Sequence, residues 1–125
     1  MSQMDMFEKI IDEDNIPVVV NQYTPEGVKY DEGKPRFSLI PVEPLTEVAK
    51  VFTLGAEKYH ADNWRKGMDW DRVFSAMMRH AYAWWGGETN DPKDGQHHLS
   101  SVIWCAMVLM WYQMFNVGKD TRFVR

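Results

Sequence analysis

From about residue 96 to 116 the chain is apolar nearly all round, with Val102, Ile103, Trp104, Ala106, Met107, Val108, Leu109, Met110 and Trp111 uninterrupted by charge. A helix without a solvated face must be covered on several sides. A chain of 125 residues has one modest core and can hardly provide that cover alone. The economical expectation is a homo-oligomer, a dimer or tetramer, joined through this helix. Ser100, Ser101, Gln113 and Asn116 break the run, which argues against a membrane span of ~20 predominantly apolar residues.

The remaining pattern predicts an all-α single domain, with an irregular segment over 1–43 and a helical core over 44–117. Pro17, Pro25, Pro35 and Pro41 disfavour helices in the first third. A short amphipathic helix or an ordered arm is expected within 1–16. Val18–Val20 and Phe37–Ile40 are candidate extended segments. Pro44 is expected to open the first core helix, whose stripe is Leu45, Val48, Phe52, Ala56 and Tyr59, ending near His60. Asp69 is placed as N-cap of a second helix with a buried stripe of Val73, Met77, Ala81 and Trp84, stopped by Gly86–Gly87. The third runs from about 96 to 116.

Net charge is −4, which argues against a general nucleic-acid binder but not against binding one nucleotide. The single cysteine, Cys105, excludes an intrachain disulfide and a cysteine zinc motif. The start of the chain lacks a basic region followed by an apolar stretch. A cytoplasmic setting is expected.

Residues 79–98 concentrate the chemistry. Three of the four histidines (His80, His97, His98) and the carboxylates Glu88, Asp91 and Asp94 fall there around a Gly/Pro turn. These residue types bind divalent cations and move protons. Glu88 and Asp91 are three apart, and Asp94 stands one helical turn before His98. His80 lies near the buried stripe of its helix and would face Glu88 two turns on if the helix persisted. The same residues also fit a plain polar loop, with Asp94 capping the last helix.

Two further segments carry cations. Lys34 and Arg36 flank a Gly/Pro turn that is either a phosphate-binding loop or a solvated turn; it has no Walker pattern. Tyr59, Asn63, Trp64, Arg65 and Lys66 crowd one loop, where Trp64 either stacks on a base or plugs the core. No Gly-x-Ser-x-Gly, dinucleotide fingerprint or Cys–His pair offers a covalent nucleophile.

Four blocks occur in order: Asp31-x-Gly33-Lys34-x-Arg36; Gly55-Ala56-x-Lys58-Tyr59 with Asn63-Trp64; Arg79-His80-x3-Trp84 with Gly87-Glu88-x2-Asp91; and Gly95-x2-His98-Leu99. Over about residues 29–112 they resemble the phage dATP/dGTP diphosphohydrolase family (MazZ-like), related to MazG-like all-α nucleotide pyrophosphohydrolases. The resemblance implies an oligomeric, MazG-like helical bundle that hydrolyses a (d)NTP to monophosphate and pyrophosphate with Mg²⁺ or Mn²⁺. It implies a centre of His80, Glu88, Asp91 and His98, with Lys34, Arg36, Asn63 and Trp64 toward the nucleotide. The four-carboxylate set usual in MazG-like proteins is absent; only Glu88-x-x-Asp91 has that form.

The expected reaction is hydrolysis of purine deoxynucleoside triphosphates, dGTP or dATP, between the α and β phosphates, in phage nucleotide-pool remodelling. Glu88 and Asp91 are expected to hold the metal, with His98 or Asp94 completing it. A carboxylate or His80 would take the proton from water. Lys34, Arg36, Tyr59, Asn63, Trp64, Arg65, Lys66 and Arg79 are the expected substrate contacts. The alternatives are an HD-type enzyme releasing triphosphate, a non-catalytic nucleotide- or protein-binding module, and a structural phage assembly protein. The His97–His98 pair lacks the following Asp that an HD doublet requires.

Overall fold

The computed structural model describes residues 27–123; the readings over 1–16 and Val18–Val20 lie outside them. The chain divides between Pro35 and Arg36 into two compact units, each described by itself. In the first, the Lys34 N–H donates to the Asp31 carbonyl (3.0 Å) around Gly33.

The second unit holds a 3-10 turn (Phe37–Leu39), α1 (Val42–Lys58), a 3-10 turn (Asn63–Lys66), α2 (Trp70–Trp85) and α3 (His98–Phe115). The described residues form an all-α structure, with isolated bridges in place of strands. Phe37–Leu39 is a 3-10 turn and not the expected extended piece. Among the described residues no strand pairs with it between Pro35 and Pro41, and Leu39 and Ile40 donate back to Arg36 and Phe37, both at 3.1 Å.

α1 starts two residues before Pro44. Proline is tolerated there because the first N–H groups of a helix have no partner within it. Of its expected stripe only Val48 is buried; Phe52 and Ala56 are half-buried, and Leu45 and Tyr59 are exposed.

α3 is the central helix and packs against both α1 and α2, chiefly α2. Its buried residues His98, Ser101, Cys105, Val108 and Tyr112 recur at steps of three and four, a single stripe. Of these, Cys105, Val108 and Tyr112 meet Trp70 and Val73 of α2 to make the core. The opposite face, with Ile103, Met107, Met110 and Met114, is exposed, so the described residues do not cover this helix on all sides. By length and apolarity α3 could cross a membrane, yet a third of it is buried against its neighbours.

Asp69 occupies the N-cap of α2 but its side chain makes no capping bond. The first N–H groups are instead taken by the chain end: Trp70 donates to the Lys119 carbonyl (3.0 Å) and Asp71 to Thr121 Oγ1 (2.9 Å). Bringing residues 117–121 so close requires glycine. Both Gly67 and Gly118 have positive φ, and a Cβ on Gly118 would stand 2.3 Å from the Met68 carbonyl oxygen. The burial expected at Trp84 is not found: it is 39 % exposed, whereas the buried residues of α2 lie in its first turn, at Trp70 and Val73.

Candidate active site

α2 ends in a chain reversal. Gly87, at φ +104°, donates to the Trp84 carbonyl while Glu88 N–H donates to the Ala83 carbonyl, both at 3.0 Å. This Schellman pairing stops the helix at Trp85. Glu88 therefore does not sit two helical turns beyond His80 on a continuing helix, as the spacing had suggested.

The loop then closes on itself. Asp91 N–H donates to the Gln96 carbonyl (2.8 Å), Gly95 N–H to the Asp91 carbonyl (2.7 Å) and His98 N–H to the Thr89 carbonyl (3.0 Å). Asp91 Oδ1 accepts from Lys93 N–H at 2.9 Å. Asp94 Oδ1 accepts from Gln96 N–H at 2.9 Å, so Asp94 shapes the loop and does not cap α3. The cap is His97, whose Nδ1 accepts from Leu99 N–H at 3.0 Å; helix α3 consequently begins at His98. Within the same loop Gln96 Oε1 is buried without a hydrogen-bond partner among the described residues.

The reversal brings α2 and the start of α3 together at two histidines. His80 Nδ1 and His98 Nδ1 are 2.8 Å apart, and His98 Nε2 lies 2.6 Å from Glu88 Oε1. Asp91 Oδ2 is 3.9 Å from His80 Nδ1. The carboxylate of Glu88 accepts from His98 Nε2–H. With both rings neutral, His98 Nδ1 accepts in turn from His80 Nδ1–H. Burial, reinforced by the adjacent His98, lowers the His80 pKa below its ordinary 6.5 against the opposing pull of Asp91 and Asp94. The shift favours the neutral ring, the form that offers a lone pair to a cation.

His80, Asp91 and His98 each offer a ligand atom, and the three lie within 4.8 Å of one another. Two imidazole nitrogens and one carboxylate oxygen are a chemically suitable donor set for a divalent cation. Glu88 stands on the other edge of the His98 ring, and Asp94 acts on His80 through its charge.

A cleft of about 1120 Å³ is lined by residues from α1, the 60–68 loop, α2 and α3. It includes Tyr59, Asn63, Trp64, Arg65 and Arg79 of the expected substrate contacts. Lys66 and Arg36 belong to the same unit but do not line it, and Lys34 lies in the first unit. Neither His80, Asp91 nor His98 lines it; Arg79 does, and its charge is felt at the neighbouring His80.

Trp64 combines both sequence-based possibilities. It bounds the cleft, yet packs edge-on to Trp111 (5.0 Å) and near Phe52 (5.9 Å). The Arg65 guanidinium covers it at 4.5 Å while Arg65 Nε donates to Asp62 Oδ1 at 2.7 Å. Among the described residues neither Arg72 nor Arg79 forms an ion pair, leaving both available to an anion. Arg72 was missed as a site residue. Its spacing of seven from Arg79, two helical turns along one face, is the signal that could have found it.

Residues 24–122 match the family described as dATP/dGTP diphosphohydrolase, N-terminal. The chain is also similar to a dATP/dGTP diphosphohydrolase of Salmonella phage PMBT28, with 33% identity over 96 residues. That alignment covers 77% of this chain and 33% of the relative, so the chain spans about a third of the length of the curated relative it matches. No solved structure matches.

Proposed function

Because this chain belongs to the dATP/dGTP diphosphohydrolase N-terminal family, we propose that it hydrolyses purine deoxynucleoside triphosphates, dATP or dGTP, to monophosphate and pyrophosphate, in phage nucleotide-pool remodelling. The observation that carries this reading is the adjacency on α2 of Arg79, in the cleft, and His80, in the cluster. One helix thereby presents an anion-binding group and a cation-ligating group side by side.

The cleft takes the nucleotide, and Arg72 and Arg79 neutralise its polyphosphate. His80, Asp91 and His98 hold a divalent cation, Mg²⁺ or Mn²⁺. Such a cation supplies charge neutralisation and Lewis-acid polarisation at a phosphoryl oxygen. A water attacks the α-phosphorus, the bond to the bridging oxygen breaks, and pyrophosphate leaves. The water's proton would pass to a carboxylate, Glu88 or Asp91, because a His80 ring that gives its Nδ1 lone pair to the cation carries its own proton on Nε2; Glu88 also holds the His98 ring in place by its hydrogen bond. Purines are preferred where the aromatic wall at Trp64 meets the base, since larger ring faces stack more strongly.

Incubating the protein with a panel of dNTPs and a divalent cation, then separating the products, tests the reading. dAMP or dGMP with pyrophosphate is expected, and no turnover in EDTA. Release of triphosphate and a nucleoside would indicate an HD-type enzyme. Inertness toward every nucleotide would indicate a binding module.

We propose also that the exposed stripe of Ile103, Met107, Met110 and Met114 is covered by further copies of the chain, in a dimer or tetramer. Replacing Met107 and Met110 by Glu is expected to yield monomers in light scattering. A wild-type monomer at micromolar concentration would sink the idea.

A further inference from the structure

Resting on the reading that the His80–Asp91–His98 cluster holds a divalent cation, we propose that the cluster selects a first-row transition ion over Mg²⁺, and that Glu88 is the positioning residue that aims His98 at it. The selection follows from the donor set. Mg²⁺ is hard, keeps several waters and is held through oxygen ligands. Imidazole nitrogen suits the later first-row ions from Fe²⁺ to Zn²⁺, and Mn²⁺ is the weakest binder of that series. Two of the three converging atoms are imidazole nitrogens, and one carboxylate oxygen contributes the only formal charge.

The role of Glu88 follows from the geometry of His98. A ring nitrogen binds a cation only through a lone pair. Glu88 Oε1, 2.6 Å from His98 Nε2, keeps the His98 proton on that nitrogen. Nδ1 is then left as the lone pair, facing His80 Nδ1 at 2.8 Å. His98 is 3 % exposed and its N–H is bound to the Thr89 carbonyl, so the residue is anchored at backbone and ring alike. Asp91 is aimed in the same way: Oδ1 accepts from Lys93 N–H, which leaves Oδ2 toward His80. When the cation enters, His80 releases its Nδ1 proton and takes one up at Nε2, a tautomer change without net charge. Outer partners of this kind commonly set metal affinity by ~10–100-fold.

The test uses the full chain, stripped of metal, without nucleotide. Co²⁺ is titrated by its visible absorption and Mn²⁺ by loss of the free-ion signal in electron paramagnetic resonance. One saturable site is expected for each ion. Mg²⁺ at about a hundredfold excess is expected to leave bound Co²⁺ in place. Asp91→Asn and His80→Gln are expected to abolish the Co²⁺ bands. Glu88→Ala is expected to weaken Co²⁺ binding by ~10–100-fold with the band positions unchanged, and Glu88→Gln, which still accepts from His98, to weaken it less. Displacement of Co²⁺ by Mg²⁺ at or below that excess would overturn the selectivity. A changed band envelope in Glu88→Ala would make Glu88 a ligand, and unchanged affinity would remove its role. Because no nucleotide is present, failure to hydrolyse dNTPs leaves this inference standing. Hydrolysis with Mg²⁺ by a chain that binds neither Co²⁺ nor Mn²⁺ would overturn it alone.

Discussion

The histidine–carboxylate cluster and the arginine-lined cleft share helix α2, yet they are built by opposite means. The cluster is held by helix α2 at His80 and by backbone hydrogen bonds of a closed loop, and two of its three side chains are aimed by a second partner: His98 by Glu88, Asp91 by Lys93 N–H. The cleft has an aromatic wall of Trp64 and Trp111, but Arg72 and Arg79 are exposed and without ion pairs among the described residues. Rigid geometry is what a reacting centre needs. Exposed cations suit a ligand whose charge they share and whose position they need only approximate. On the proposed function, substitutions in the two regions are expected to separate kinetically, those in the cluster lowering kcat and those in the cleft raising KM.

The strongest challenge to that division is Asp91→Asn. The amide oxygen still accepts from Lys93 N–H, so the loop survives, but a charged ligand is lost. A fall in kcat on the order of a thousandfold, about 4 kcal/mol, is expected with a nearly unchanged melting temperature. If kcat is retained, Asp91 is only a turn residue and the cluster is not the reacting centre.

Next in size is a perturbation of the helix that carries both regions. Gly118→Ala forces a side chain into positive φ and against the Met68 carbonyl oxygen, loosening the strap at the start of α2. A loss of about 1–3 kcal/mol is expected, read as a lower midpoint in chemical denaturation. Gly95→Ala also has positive φ, but nothing lies within 4 Å of the added Cβ, so its loss is expected to be smaller. Equal losses would show that the contact with Met68 carries no weight.

A smaller effect is expected within the cleft. Arg79→Gln is expected to raise KM by about tenfold with little change in kcat. An equal fall in kcat would place Arg79 with the cluster and blur the two regions into one.

How much of this was legible in the sequence depended on whether a residue acts through its own helix. The helices of the core could be read from apolar periodicity, and the stops at Gly86–Gly87 from glycine alone. The cap of α2 could not: Thr121 is fifty residues from the N–H it accepts, and no local pattern marks such a partner. His98 and Glu88 could be read as members of a site. Their pairing could not, because it depends on a reversal at Gly87 that turns the chain back from the helix axis. The stripes of Leu45 and Tyr59 misled for a related reason: periodicity marks a face, but only packing against α3 decides how much of that face is covered. Arg72 escaped because the cleft is made by side chains from several elements, and cations scattered over 65–79 resemble an ordinary solvated face.

The smallest predicted effect probes the scaffold between the two regions. Cys105 of α3 is 2 % exposed, and its burial raises the thiol pKa from 9.0 to about 11, with the nearby Arg79 opposing. At pH 8 only about a thousandth of this thiol is ionised. The native protein is therefore expected to react slowly with a thiol reagent and quickly once unfolded. The sign of the linkage follows from proton uptake: between pH 9 and 11 the unfolded chain loses the thiol proton while the folded chain keeps it. The contribution is fully present below pH 9 and is lost as pH rises through 11. Comparing the wild type with Cys105→Ala isolates it from the other groups that titrate there. From pH 8 to pH 10 the wild type is expected to lose about 1 kcal/mol more stability than the variant. Rapid labelling of the native thiol at pH 8, or parallel stability curves, would show that α3 is open to water beside Arg79. The firm support assumed beneath both cleft and cluster would then be absent.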